Sequence, residues 1–128
     1  MTNSLSGGTA RQAVYVIDDD ASMRVALKRL VSFSERPIQI FESAEDFLAN
    51  AEALSGGCVV VDVQLPGMNG LDLLRRLRDK GLRWPTIVMS GSHDENAEAE
   101  ALRLGARAFL SKPFEPQALL DAIEQALR

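Results

Sequence analysis

One cysteine, one histidine, one tryptophan and one tyrosine stand among 128 residues. A lone Cys58 rules out an intrachain disulfide and fits a reducing cytosol, so a cytoplasmic location is expected. With only Cys58 and His93 as soft or nitrogen donors, a zinc site has no ligand set. No apolar run approaches the roughly 20 residues that span a bilayer. The N-terminus lacks the charged-then-apolar layout of a secretory signal. Basic surplus is missing too: 14 Lys and Arg face 18 Asp and Glu, for a formal charge of -4. Direct nucleic-acid binding and membrane attachment are therefore not expected.

The composition is that of one globular domain, 46% hydrophobic and 25% charged, able to bury a core without disulfides. Residues 1–12 are polar and small and read as a flexible lead-in, with the domain over 13–128. Ala13 to Ile17 is a short apolar run, the mark of a strand buried on both faces. It stops at Asp18-Asp19-Asp20, after which Met23, Ala26, Leu27, Leu30 and Val31 follow helical spacing. Pro37 to Phe41 predicts a second strand, and Ser43 with Asp46 a capped second helix. Cys58 to Val61 predicts a third strand ending in Asp62. The helix after it carries Leu71, Leu74 and Leu77 and stops at Gly81. Thr86 to Met89 ends at Ser90-Gly91, and a helix follows over Glu95 to Leu104. Ala108 to Leu110 ends at Ser111-Lys112-Pro113, and Pro116 opens the last helix. Five strands alternating with five helices predict a parallel sheet covered on both faces.

Ligands of such sheets bind beyond the carboxyl ends of the strands. The residues there are Asp18, Asp19 and Asp20, then Asp62, Ser90 and Lys112. Clustered carboxylates repel and need compensation. Lys112 supplies one charge and a divalent cation with oxygen ligands, Mg²⁺, suits the rest. A carboxylate beside Mg²⁺, a lysine and a hydroxyl is an arrangement for accepting a phosphoryl group. Each feature alone has a plain reading: a solvated turn, a helix cap, a loop, a Lys-Pro punctuation. Their conjunction at successive strand ends carries the signal.

The chain resembles response-regulator receiver domains, and among them FixJ-type regulators. The stretches that carry this are Val16 to Asp20, Val61 to Gly70, Val88 to Gly91, Gly105-Ala106 and Phe109 to Phe114. The resemblance implies a flavodoxin-like, CheY-like α/β fold, a three-layer sandwich with strand order 2-1-3-4-5. It implies Asp62 as phosphoacceptor, with Asp19, Asp62 and the Gln64 carbonyl as direct Mg²⁺ ligands and Asp18 acting mainly through water. Lys112 would contact the phosphoryl group, and its bond to Pro113 is often cis in the family. Ser90 and Phe109 would form the switch pair. A sensor histidine kinase is the implied partner, with a homodimer or output partner on the face made by the fourth helix, fifth strand and fifth helix. Glu98, Arg103, Arg107 and Glu124 are the charges expected there. Ser90 stands where threonine is commoner, and Asp20 is expected to be solvated.

Three rival readings are weaker. An aspartyl phosphatase commonly needs an acid two residues after its nucleophile, where Gln64 stands. A flavodoxin-like cofactor module needs a phosphate loop where three aspartates stand. A pseudo-receiver would have lost an acid or the lysine. The domain is thus expected to be no enzyme beyond self-phosphorylation from small donors and autodephosphorylation. A stand-alone regulator and the receiver part of a longer transcription factor both remain open. His93 reads as an exposed loop residue, Cys58 as a buried hydrophobe and Trp84 as loop packing.

Overall fold

A computed structural model describes residues 12–91 and 95–128. The expected flexible lead-in therefore falls almost wholly outside the described residues, as does His93. The strands are β1 (Ala13–Ile17), β2 (Ile38–Phe41), β3 (Gly57–Asp62), β4 (Thr86–Ser90) and β5 (Ala108–Ser111). The α-helices are α1 (Ala21–Ser32), α2 (Ala44–Asn50), α3 (Gly70–Asp79), α4 (Glu95–Arg103) and α5 (Pro116–Ala126). A 3₁₀ turn over Ala51–Ala53 extends α2. All pairings are parallel, in the order β2-β1-β3-β4-β5, as expected.

Strand alternation divides the core in two. Tyr15, Ile17, Val59, Val61 and Val88 face the layer that holds Phe47, Leu73 and Ala101 of α2, α3 and α4. Val14, Val16, Cys58, Val60, Ile87 and Met89 face Leu27 and Val31 of α1 and Leu119 and Ile123 of α5. Successive side chains point to opposite faces, so a wholly apolar strand feeds both layers. All six residues of β3, the central strand, are buried. Cys58 is the small buried hydrophobe expected. Trp84 closes one end of an aromatic cluster, edge-on to Tyr15 at 5.3 Å and to Phe47 at 5.6 Å.

The helix ends follow local chemistry. Asp20 caps α1, its Oδ1 accepting from the backbone N–H of Ser22 at 2.8 Å and of Met23 at 3.2 Å. It remains exposed, as expected, but the cap gives it a structural task. Ser43 Oγ accepts from Asp46 N, and Asn69 with Asp72 forms a reciprocal capping box on α3. Gly81, at φ 73°, ends α3: its N–H donates to Arg78 and that of Leu82 donates to Leu77. Gly105, at φ 102°, repeats this pattern after α4. At the foot of β3, a Cβ on Gly57 would come within 2.2 Å of the Ala13 carbonyl oxygen, so only glycine lets the two strands approach.

Candidate functional site

The same alternation sets the side of the sheet on which each strand-end residue emerges. Val14 and Val16 lie in the α1/α5 layer, and two residues on comes Asp18. Cys58 and Val60 lead likewise to Asp62, and Ala108 and Leu110 to Lys112. Three different strands thus deliver two carboxylates and an ammonium to one place. Val88 leads to Ser90 on the other side, and Phe109 is half-buried in that other layer, opposite Val88 in the β4–β5 register. Ser90 and Phe109 therefore follow positions of β4 and β5 that face the same layer.

Lys112 joins the acids. Its Nζ donates to Asp62 Oδ2 at 2.5 Å and to Asp18 Oδ2 at 3.2 Å. Asp18 is fully buried and Asp62 is 6% exposed. Each carboxylate is also held by its own backbone: Asp20 N donates to Asp18 Oδ1 at 2.9 Å, and Gln64 N to Asp62 Oδ1 at 2.7 Å. Burial holds the Asp18 carboxyl above its usual range. The Asp20 and Lys112 interactions offset this in part, and the charge of Asp62 adds to it. Burial opposes the Lys112 ammonium, but the bonds and charges of Asp62 and Asp18 outweigh it and push its pKa up. The two carboxylates share one cation, so their negative charge is incompletely balanced.

Asp19 lies exposed at the same strand end. Among the described residues no group of three His, Cys, Asp or Glu side chains stands ready to hold a metal ion. Asp18 and Asp62 meet on Lys112, and Asp19 does not join them as a third. The donors fit Mg²⁺ in kind: they are oxygens, they are hard, and they carry surplus negative charge. Gln64 contributes its N–H to Asp62, while its Oε1 accepts from Gly91 N at 3.3 Å. Ser90 is buried, and its carbonyl accepts from Lys112 N at 2.7 Å. The Lys112–Pro113 bond is cis, as the resemblance implied.

Two further residues brace the site. Arg24 Nη1 donates to the Asp18 carbonyl at 2.9 Å, and its Nη2 pairs with Glu42 at 3.4 Å. Glu45 Oε2 accepts from Met68 N at 3.0 Å and so holds the loop after β3. A Cβ on Gly70 would lie 2.7 Å from the Asp62 carbonyl oxygen, so α3 starts hard against the site. A helix begun right after the acidic turn is a signal for Arg24; nothing in the spacing signals Glu45. Of the charges expected on the output face, Glu124 instead takes a bidentate pair from Arg36, with both contacts at 3.0 Å. Arg103 pairs with Glu100.

Comparison with known proteins agrees with this geometry. The family model described as "Response regulator receiver domain" matches residues 14–124. The transcriptional regulatory protein FixJ of Bradyrhizobium diazoefficiens is 42% identical over 120 residues, 94% of this chain and 58% of that protein. The transcriptional regulatory protein TdiR of Thauera aromatica is 40% identical over 114 residues, 89% of this chain and 50% of that protein. The crystal structure of FixJ-N superimposes with a TM-score of 0.86 at 35% identity, over 92% of this chain and 94% of that one. The chain spans between half and three-fifths of the length of these two curated relatives.

Proposed function

The chain belongs to the response regulator receiver domain family, and from that premise we propose that Asp62 accepts a phosphoryl group from the phosphohistidine of a sensor kinase. The observation that carries this is Lys112 Nζ held between Asp62 and Asp18 at the C-terminal edge of the sheet. An Asp62 carboxylate oxygen attacks phosphorus, a P–O bond forms, and the P–N bond to the kinase histidine breaks with its electron pair going to nitrogen. Lys112, already on Asp62, turns to the phosphoryl oxygens and neutralises part of their charge. Asp19, Asp62 and the Gln64 carbonyl would hold Mg²⁺, with Asp18 reaching it through water. When bound, the cation supplies the positive charge that one lysine cannot. The reacting unit spans 13–128, acts in the cytoplasm, and catalyses nothing beyond its own phosphorylation from small donors and its dephosphorylation.

The response begins at Ser90. Its hydroxyl turns to a phosphoryl oxygen, and Phe109, on the same side of the neighbouring strand, rotates into the vacated space. The two placements of a large ring are discrete packings, which a switch requires. The surface of α4, β5 and α5 then changes and meets a second copy or an output partner. In a longer protein that partner would be a DNA-binding domain controlling transcription, in keeping with the names of the relatives. Acetyl phosphate with Mg²⁺ should give a retarded band on a phosphate-affinity gel, and Asp62→Asn should abolish it. A variant labelled as fully as wild type overturns the assignment. With a beryllofluoride mimic, amide shifts should reach Phe109 and α5; shifts confined to the loops touching Asp62 overturn the switch.

A further inference from the structure

At the opposite edge of the sheet, a cleft of about 470 Å³ opens between the C-terminal ends of α3 and α4. The leucines and tryptophan that line it are buried or half-buried and form its floor: Leu74 and Leu77 from α3, Leu82 and Trp84 from the loop beyond, and Leu104 after α4. Its rim carries four arginines, Arg78, Arg83, Arg103 and Arg107. In a chain with a net charge of -4, so many cations around one cavity is a local reversal of sign.

Part of that charge has a structural reason. Arg78 and Arg103 sit in the last turns of α3 and α4, where cations offset the carbonyl ends. Each end contributes about half a negative charge, and Glu100, paired with Arg103 and Arg75, contributes another. About two positive charges remain uncompensated on this reckoning. Arg78 and Arg83 form no ion pair among the described residues. Among the described residues, the guanidinium of Arg107 makes one hydrogen bond, of 3.5 Å to the Ala126 carbonyl. A volume of this size suits a small molecule, and guanidinium forks match phosphate oxygens two at a time.

We propose that this cleft binds a small organic phosphate, with its phosphoryl groups in the arginine forks and its apolar or planar body on the leucine floor. The site is separate from the acidic cluster. Pro85 lines the cleft just before β4, and Ser90 is the last residue of that strand. Five strand residues at about 3.3 Å each put roughly 16 Å between them. A ligand here would bear on the C-terminal end of α4, the helix whose other end follows Ser90.

The test uses the full chain in EDTA, where the uncompensated carboxylates around Asp62 repel phosphates. ATP, dodecyl phosphate and inorganic pyrophosphate are titrated separately, followed by amide NMR and by the fluorescence of Trp84, the sole tryptophan. At least one of the first two should bind saturably, about tenfold tighter than pyrophosphate, with shifts at Arg83, Trp84 and 103–107. ATP alone would mark a nucleotide site, and dodecyl phosphate alone a lipid-like one. The double variant Arg83→Ala, Arg107→Ala should weaken binding at least about tenfold while leaving the melting curve in place. Non-saturable binding, shifts confined to the loops around Asp62, or undiminished binding by the double variant would overturn the proposal. So would binding of an acidic peptide with none of either phosphate, which would make the cleft a protein-docking surface.

Discussion

Replacing Lys112 by methionine keeps most of the side-chain volume and removes the ammonium. The structure allows the cost to be bracketed. At 2.5 and 3.2 Å, the attractions to Asp62 and Asp18 amount to about 7 and 5 kcal/mol at an effective dielectric of 20. Desolvation of three nearly buried groups cancels most of this in the intact cluster. Removing one partner does not return that cost, because the two carboxylates stay buried, and such deletions lose about 3–5 kcal/mol. Total stability for a domain of this kind is about 5–15 kcal/mol, so the loss is large. At about 4 °C per kcal/mol, Lys112→Met in EDTA should melt some 12–20 °C below wild type by circular dichroism. Asp18→Asn in the same background should restore part of the loss, since one carboxylate then has no like charge beside it. The pH dependence has a definite sign. Burial already raises Asp18 above its usual range, and loss of the lysine raises it further. A carboxyl raised in the folded state favours folding at low pH and loses that advantage as pH rises, so the deficit should shrink from pH 8 toward pH 5. A loss below about 1 kcal/mol, or a double variant less stable than Lys112→Met, would refute this picture of the cluster.

Other expectations rest on single contacts. Burial pushes the Cys58 thiol up to about 12, so the native protein should resist a disulfide reagent at pH 8 that labels the unfolded chain. The stability tied to this thiol is complete below the unfolded value near 9 and declines as pH rises toward about 12; quick labelling of the native protein would contradict the burial. Phe47 is fully buried against Tyr15, Phe41 and Trp84, and Phe47→Ala should cost about 3–5 kcal/mol in urea unfolding. Asp20→Ala removes the cap of α1 and should cost about 1 kcal/mol, with Asp20→Asn costing less; equal losses for the two would point to charge rather than capping.

The strand ends were legible because period-2 burial and helical periodicity change over at the acidic and hydroxyl residues. Asp18, Asp62 and Lys112 meet for the reason the pattern gives: each continues the α1/α5-facing positions of its strand. Asp19, the residue between, is turned to solvent, and one carboxylate in a run of three tells little about which of them converge. Asp20 is solvated as expected, and its capping of α1 was readable from its place just before a helical run. Glu45 was beyond reach, since its hold on Met68 depends on how α2 leans toward the loop after β3. The pairing of Glu124 with Arg36 joins residues 88 apart and depends on the packing of α5 beside the end of α1. The arginine rim depends on packing in the same way: Arg78 and Arg83 lie far in sequence from Arg103 and Arg107, and the packing of α3 beside α4 brings the four around one cleft.

Asp62, and no other acid in the cluster, is the proposed carrier of the phosphoryl group. An acyl phosphate is reduced by borohydride to the alcohol, which converts aspartate to homoserine at the acceptor position. Treating the chain with acetyl phosphate and Mg²⁺, then with borohydride, and sequencing its peptides by mass spectrometry reads that position directly. Homoserine is expected at position 62 and intact aspartate at 18, 19 and 20; homoserine at any of those three, with Asp62 unchanged, would move the acceptor elsewhere in the cluster.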